Sequence, residues 1–374
     1  MKYVDEYRNQ KDAEELIRAI HRRATRRWTI MEVCGGQTHG LLRYGIDEAL
    51  ADVVELIHGP GCPVCVTPAE QIDRAIALAE RPDVLLATFG DMLRVPGSRR
   101  SLAAARATGA RVRAVYSPLD ALTLAEREPD LQIIFFAVGF ETTTPATALA
   151  VQQAARRGLH NFSLLTAHVR VLPAMEAILR SPDNRVQAFL AAGHVCTVTG
   201  QEAYEVPCRR HQVPIVVTGF EPTDLLQGIL ACIDQLESGR CEVESRYKRC
   251  AHREGNPQAR RIIEEVFEPC DQPWRGFGMM PQGGLRLRDT WREFDATSRF
   301  PDTAPVREDD SRCRSGDVLS GRIRPTQCPA FGKECTPDSP LGAPMVSGEG
   351  ACAAYFQFHP TIKNAAVDSP GRKT

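Results

Sequence analysis

From about Trp28 to Gln235, short apolar runs rich in β-branched residues alternate with longer stretches whose apolar positions recur at helical spacing. The short runs predict strands at Trp28 to Val33, Val53 to Ile57, Val84 to Thr88, Val112 to Tyr116, Ile133 to Val138, Phe162 to Thr166, Gln187 to Leu190 and Ile215 to Thr218. Helical spacing falls between most of them, as at Ala69 to Ala79, Pro145 to Arg157, Ala174 to Leu179 and Thr223 to Leu236. Strands and helices in alternation build βα units on a parallel sheet. Eight strands are enough to close one barrel. The Pro/Gly-interrupted stretch around Arg94 to Ser98 and the polar stretch near Glu126 to Asp130 nevertheless divide the series, so two open, doubly wound halves are expected. The expected division is an α/β fold with one Rossmann-like domain over residues 1–120 and a second over 121–240.

After Gly239 the alternation stops. A charged segment leads to one helix, Gln258 to Phe267, and then to a stretch rich in Gly, Pro and Cys that runs to Cys352. That stretch has too few periodic apolar residues for a core of its own, so residues 241–374 are expected to be a small third domain held by a metal cluster. The polar residues His359 to Thr374 are expected to fray.

Composition narrows the function. Lys plus Arg nearly balance Asp plus Glu for a formal net charge of −1, which offers nucleic acid or an anionic membrane no attracting field. Met1 to Ile20 is dense in charge and lacks the apolar run of a signal peptide or a membrane span, so a cytoplasmic location is expected. In such a reducing compartment the thirteen cysteines call for metal or redox chemistry rather than a disulfide framework.

The unusual residues fall at the carboxyl ends of the predicted strands, where open α/β sheets bind their ligands. Cys34-Gly35-Gly36-Gln37-Thr38-His39 follows the first strand and Gly59-Pro60-Gly61-Cys62-Pro63-Val64-Cys65 the second. Phe89-Gly90-Asp91 follows the third, Gly139-Phe140-Glu141 the fifth, Gly193-His194 the seventh and Gly219-Phe220-Glu221 the eighth. Convergence of these loops on one site is the expectation. Cys62 and Cys65 form a C-x-x-C unit at the start of a helix, which suits either a redox-active dithiol or a soft metal. Two glycines after Cys34 allow close approach of a ligand, with His39 near to donate a hydrogen bond or proton. Glu141 and Glu221 stand in like Gly-Phe-Glu contexts that hint at an internal repeat; each is read either as a helix cap or as an acid, base or acceptor beside the thiols. The other scattered cysteines, Cys196, Cys208, Cys232, Cys241, Cys250 and Cys270, read as small buried hydrophobes. Four late cysteines, Cys313, Cys328, Cys335 and Cys352, are enough for zinc or a [4Fe–4S] cluster, and the absence of paired C-x-x-C knuckles favours the cluster. No dinucleotide, P-loop, esterase or zinc-protease motif occurs in its required context.

Taken together, Met31-Glu32-Val33-Cys34-Gly35-Gly36-Gln37-Thr38-His39, His58-Gly59-Pro60-Gly61-Cys62-Pro63-Val64-Cys65, Gly139-Phe140-Glu141-Thr142-Thr143, Ala192-Gly193-His194-Val195 and Gly219-Phe220-Glu221-Pro222 closely resemble the motifs of the HypD family of hydrogenase maturation factors. The resemblance continues through Phe89-Gly90-Asp91-Met92-Leu93-Arg94, Trp274-Arg275-Gly276, Cys328-Pro329-Ala330-Phe331-Gly332-Lys333-Glu334-Cys335 and Ser347-Gly348-Glu349-Gly350-Ala351-Cys352. It implies two Rossmann-like domains, a C-terminal [4Fe–4S] domain and a complex with the chaperone HypC. On that complex an iron atom acquires two cyanides and one carbon monoxide, with HypE as cyanide donor, before transfer to the hydrogenase large subunit. Carried onto this sequence, Cys34 is the implied iron ligand, His39 its neighbour, Cys62 and Cys65 the redox-active dithiol with further contacts to the iron, and Cys313, Cys328, Cys335 and Cys352 the cluster ligands. Two departures stand out. Ser315 occupies a place where many members have cysteine, which leaves Cys313 as the fourth ligand and Cys270 as the next candidate. Gln37 stands where some members have histidine, which leaves any general-acid role to His39. The rival reading from the residues alone is an iron-sulfur-dependent thiol-disulfide reductase of a partner protein, with a zinc-stabilised binding module as a third.

Overall fold

The structure is a computed structural model that describes residues 5–301 and 312–358. The segment His359 to Thr374, expected to fray, lies outside the described residues. Eleven strands follow in chain order among them: β1 (Trp28–Glu32), β2 (Val54–His58), β3 (Val84–Thr88), β4 (Val112–Ala114), β5 (Gln132–Gly139), β6 (Phe162–His168), β7 (Ala188–Ala192), β8 (Ile215–Thr218), β9 (Val243–Ser245), β10 (Phe267–Trp274) and β11 (Gly278–Leu287). Parallel pairing gathers the first nine into two α/β sheets, one in the order β2-β1-β7-β8-β9 and one in the order β4-β3-β5-β6. Apart from the short edge strands β4 and β9, both are built of mainly apolar strands buried on their two faces, which is why they read as hydrophobic runs.

A cut at residue 120 does not match this pairing. Ile30 of β1 lies opposite Ala188 of β7, so the chain leaves the first sheet after β2, builds the whole second sheet and then returns. Buried parallel strands look alike whichever sheet they join, so the hydrophobic pattern carries no mark of the insertion.

The unit expected over 241–374 is also divided. β9 extends the first sheet beside β8. The helix Pro257–Val266, the antiparallel hairpin β10–β11 and Phe294 cover the second sheet, where Val266, Phe267, Leu285 and Phe294 share a core with Phe135 and Phe162. Residues 312–358 sit instead at the carboxyl ends of the first sheet. Their last helix, Ala351–Phe358, buries Ala354 and Tyr355 against Leu42 of the helix Gly35–Arg43.

An early helix, Gln10–Arg23, is capped by the Asn9 side chain and packs through Ile20 into the core that Leu225, Leu226 and Ile229 of the helix Pro222–Glu237 also fill. Among the described residues, no helix is long and apolar enough to cross a membrane.

Candidate functional site

Cys34 follows β1 after one intervening residue, Val33, and stands as the N-cap of the helix Gly35–Arg43. Its loop is sewn to the loop after β2 by the Gly35 N–H, which donates to the Gly61 carbonyl at 2.9 Å. Glycine is required at both contacts: a Cβ on Gly61 would strike the Cys34 backbone, and one on Gly35 would strike the Glu349 carbonyl. The ring of Phe220, from the loop after β8, comes within 3.1 Å of where a Cβ on Gly36 would be. Gln37 is fully buried and donates to the carbonyls of Ala191 (3.1 Å) and Thr218 (3.3 Å), which ties this loop to the ends of β7 and β8. Gln37 thus holds the loop in place from within.

The Cys34 thiol is partly exposed, yet its crowded surroundings push its pKa up to about 12. Burial is the largest cause, the charge of Glu349 the next and that of Glu32 a smaller one, while the N–H groups of Gly36 and Gln37 pull the other way. At neutral pH the free group is a thiol, and a soft cation bound there displaces its proton.

Cys62 and Cys65 are joined as a disulfide, both buried, with Cα atoms 5.2 Å apart on the one-turn helix Pro63–Val66 and its cap. Beneath Cys34 and this pair runs a buried polar chain that the sequence reading did not single out. The Tyr355 hydroxyl lies 3.1 Å from Nε2 of His58, whose Nδ1 is 2.7 Å from Oε1 of Glu32. Glu32 accepts the Thr38 hydroxyl on that same oxygen and the Cys34 backbone N–H on the other at 2.8 Å. Glu32 and His58 are at most 2% exposed. One signal was available: a carboxylate and an imidazole closing two otherwise apolar strands.

The four late cysteines line one pocket, together with Ser315, Phe331, Gly342 and Met345. Burial and the neighbouring thiols Cys313, Cys335 and Cys328 raise the pKa of Cys352 far above the usual range. The Cys335 sulfur also accepts the Leu341 N–H at 3.4 Å. Among the described residues, no three His, Cys, Asp or Glu side chains converge closely enough to hold a single metal ion. Cys270 lies elsewhere, in β10 beside Asp271 and Arg286.

The remaining candidates are dispersed around this centre. His39 is 3.3 Å from the Gly348 carbonyl and edge-on to Phe358. His194 lies against Phe220 with ring centroids 3.9 Å apart, where desolvation lowers its pKa. Asp91, after β3, meets the Ser347 hydroxyl at 3.4 Å. Glu221 is the N-cap of the helix Pro222–Glu237 and its carboxylate is held by Arg8 at 2.9 Å. Glu141 caps no helix of its own: it accepts the Val171 N–H at 3.1 Å and faces a separate cavity of about 230 Å³ with Arg170, Tyr204 and Phe267. Its other oxygen has no partner, and burial raises its pKa to about 7. Cys196, Cys208 and Cys232 are buried, while Cys241, Cys250 and Cys270 are half-buried.

Comparison with known proteins places this geometry among relatives. The HypD family profile, described as "Hydrogenase formation hypA family", matches residues 11–359. The chain is 47% identical over 367 residues to a hydrogenase maturation factor HypD of Azotobacter vinelandii, covering 96% of this chain and 97% of that one. It is 44% identical over 368 residues to the factor of the same name from Escherichia coli (strain K12), at 96% and 98% coverage. For the Rhodobacter capsulatus protein the identity is 46% over 371 residues, with the same coverage of 96% and 98%.

Proposed function

The chain belongs to the HypD family, and from that premise we propose that it is a hydrogenase maturation factor that holds an iron atom at Cys34 while cyanide and carbon monoxide ligands are attached. The observation that carries the reading is the junction at Cys34, where the C-x-x-C loop and the cysteine-rich segment meet through the Gly35 to Gly61 hydrogen bond and the approach of His39 to Gly348. The iron is cargo, and the proposed partners follow its route: HypC shares it through a thiolate of its own, HypE donates cyanide, and the hydrogenase large subunit receives it.

The residues supply what such a cargo needs. Soft thiolate sulfur suits low-spin iron with strong-field ligands. Cys34 gives up its proton on binding, and Glu32 fixes the Cys34 backbone from below while His58 and Tyr355 hold Glu32 in place. Cys62 and Cys65, already paired, are placed to act as a dithiol-disulfide couple, taking or giving two electrons as the S–S bond breaks or forms.

The donor set of the late cysteines fits a [4Fe–4S] cluster. Four thiols line one pocket, the number and donor type that a [4Fe–4S] cluster takes. Cys313, Cys328, Cys335 and Cys352 would hold that cluster, and when bound it supplies one-electron transfer.

The test is infrared spectroscopy of the protein purified anaerobically with HypC. Cyanide and carbon monoxide stretching bands are expected in the parent complex and lost in Cys34→Ala, with the iron and labile sulfide of the cluster retained. Bands that survive Cys34→Ala would overturn the assignment. Bands absent from the parent, with electron transfer through Cys62 and Cys65 intact, would favour the thiol-disulfide reductase reading.

A further inference from the structure

Cys208 and Cys241 are brought together by the fold although they are far apart in sequence. Cys208 sits in the helix Glu205–His211, and Cys241 lies two residues before β9. Their sulfurs are 3.2 Å apart, and the Cys241 thiol also donates to the Cys208 carbonyl at 3.1 Å. A disulfide bond is about 2 Å long, so closure asks each sulfur to move by well under 1 Å.

The backbone on both sides is already fixed in this arrangement. The Val213 N–H returns to the Cys208 carbonyl at 3.3 Å, beyond the left-handed Gln212 that ends the helix. Around Cys241, the Arg240 N–H donates to the Gln235 carbonyl and the Glu242 N–H to the Gln235 side chain, both at 2.9 Å. Neither cysteine belongs to the Cys34 junction or to the late-cysteine pocket.

We propose that Cys208 and Cys241 are a second dithiol, one that reacts with low-molecular-weight disulfides and closes to a bond stapling the edge strand β9 to the helix Glu205–His211. The half-buried Cys241 meets the reagent first. Its thiolate attacks one sulfur of the external disulfide, forming a mixed disulfide and releasing one small thiol. Cys208 then attacks the Cys241 sulfur and releases the second small thiol, which carries away the Cys208 proton. Two protein thiols are oxidised and one external disulfide is reduced, so electrons and protons balance. Burial raises the pKa of Cys208 to about 12, in keeping with its acting second and only on a sulfur held beside it.

The staple bears on the neighbourhood of Cys34. β9 pairs with β8 alone and leads into Tyr247 and Arg249. Tyr247 stands edge-on to Phe220 at 6.1 Å between centroids, and Arg249 holds the Asp224 carboxylate at 2.7 Å. Closing the bond anchors the strand that carries this wall.

The experiment treats the full chain, purified anaerobically, with oxidised glutathione, then blocks remaining thiols with iodoacetamide and maps peptides by mass spectrometry. The parent protein is expected to yield the Cys208 and Cys241 peptides linked, two hydrogens lighter than their sum, with neither cysteine alkylated. Cys208→Ser should stop at a glutathione adduct on Cys241, and Cys241→Ser should leave Cys208 unmodified by glutathione. Hydrogen exchange at the β9 amides should slow on oxidation of the parent and stay unchanged in either serine variant. A parent protein in which both cysteines remain alkylatable, or which halts at the mixed disulfide, would overturn the proposal. Cross-linking without any change in exchange at β9 would overturn the staple. None of these readouts depends on iron at Cys34.

Discussion

Two buried titratable side chains around the second sheet oppose each other in their dependence on pH. Glu141 has a folded pKa of about 7 against an ordinary 4.5, because burial disfavours its charge. The folded protein therefore holds the extra proton between those values, and the cost of ionising Glu141 grows as pH rises and is complete above about 7. Glu141→Gln keeps the acceptor for the Val171 N–H and removes the ionisation, so it should raise stability by up to roughly 3 kcal/mol at pH 8 and leave it nearly unchanged at pH 4. His168 runs the other way. Burial holds its pKa at about 4 against 6.5, and its neutral ring bonds the Ala137 carbonyl at 2.9 Å while stacking on Phe267. Here the unfolded chain binds the extra proton, so stability contributed by neutral His168 is present above about 6.5 and lost as pH falls toward 4. Denaturant midpoints at pH 4, 6 and 8 check both: Glu141→Gln should match the parent at pH 4, separate from it by pH 6 and separate most at pH 8, and His168→Gln should flatten the decline at the acid end.

At the scale of elements, the chain Tyr355, His58, Glu32 ties a helix of the cysteine-rich segment to the ends of β1 and β2. Removing the end and the middle of such a chain costs different amounts. Tyr355→Phe takes away the hydroxyl bound to His58 and should cost about 1 kcal/mol. His58→Ala leaves a cavity and deprives the buried Glu32 of one of its three partners, so it should cost roughly 3 kcal/mol or more, with Glu32→Gln in the same background restoring part of the loss. Thermal denaturation of the three variants reads that ordering, and equal losses would mean that the contacts are not linked. Eight of the nine strands of the two sheets, all but the short edge strand β9, and the helix Ala69–Ala79 were legible in the sequence because buried parallel strands and amphipathic helices leave clear periods. The hairpin β10–β11 was not, since Pro269, Pro273 and several charged residues interrupt its pattern and only its contacts with the second sheet make it a strand pair. The Gln10–Arg23 helix was hidden by its charge, although Ala13, Leu16, Ile17 and Ile20 keep helical spacing. Cys34 and the C-x-x-C pair were legible as loops after strands. Glu32 and His58 were less legible, because they are the last residues of β1 and β2 rather than part of the chemistry-bearing loops beyond them.

The molecule as a whole is organised by a return that no local pattern announces: the second sheet is inserted into the first, and residues 312–358 close over the carboxyl ends of the first sheet. That closing segment has little core of its own. Its internal apolar cluster is small, built around Ala330, Cys335 and Met345, and its remaining apolar contacts are with the body: Val318, Leu319, Ala343, Val346 and Ala351 in the main core, and Ala354 and Tyr355 against Leu42. With so small an internal core, the segment would depend on the cluster proposed for its four thiols. Stripping metal from the protein, or replacing Cys328 with Ser, should therefore loosen residues 312–358 before the two sheets respond. Limited trypsin digestion reads this directly, because Arg314, Arg322 and Lys333 lie within the segment and the sheets' central strands are buried. Rapid cleavage at those sites only in the metal-free or Cys328→Ser protein is the expected result. The loosening should also reach Cys34, since Glu349 and Tyr355 leave with the segment: with Glu349 gone the Cys34 pKa falls, and alkylation of Cys34 at pH 8 should speed up in step with cleavage. Cleavage without faster alkylation would mean that the Cys34 junction stands without the segment that covers it. Equal cleavage with and without metal would mean that side-chain packing alone holds the segment in place.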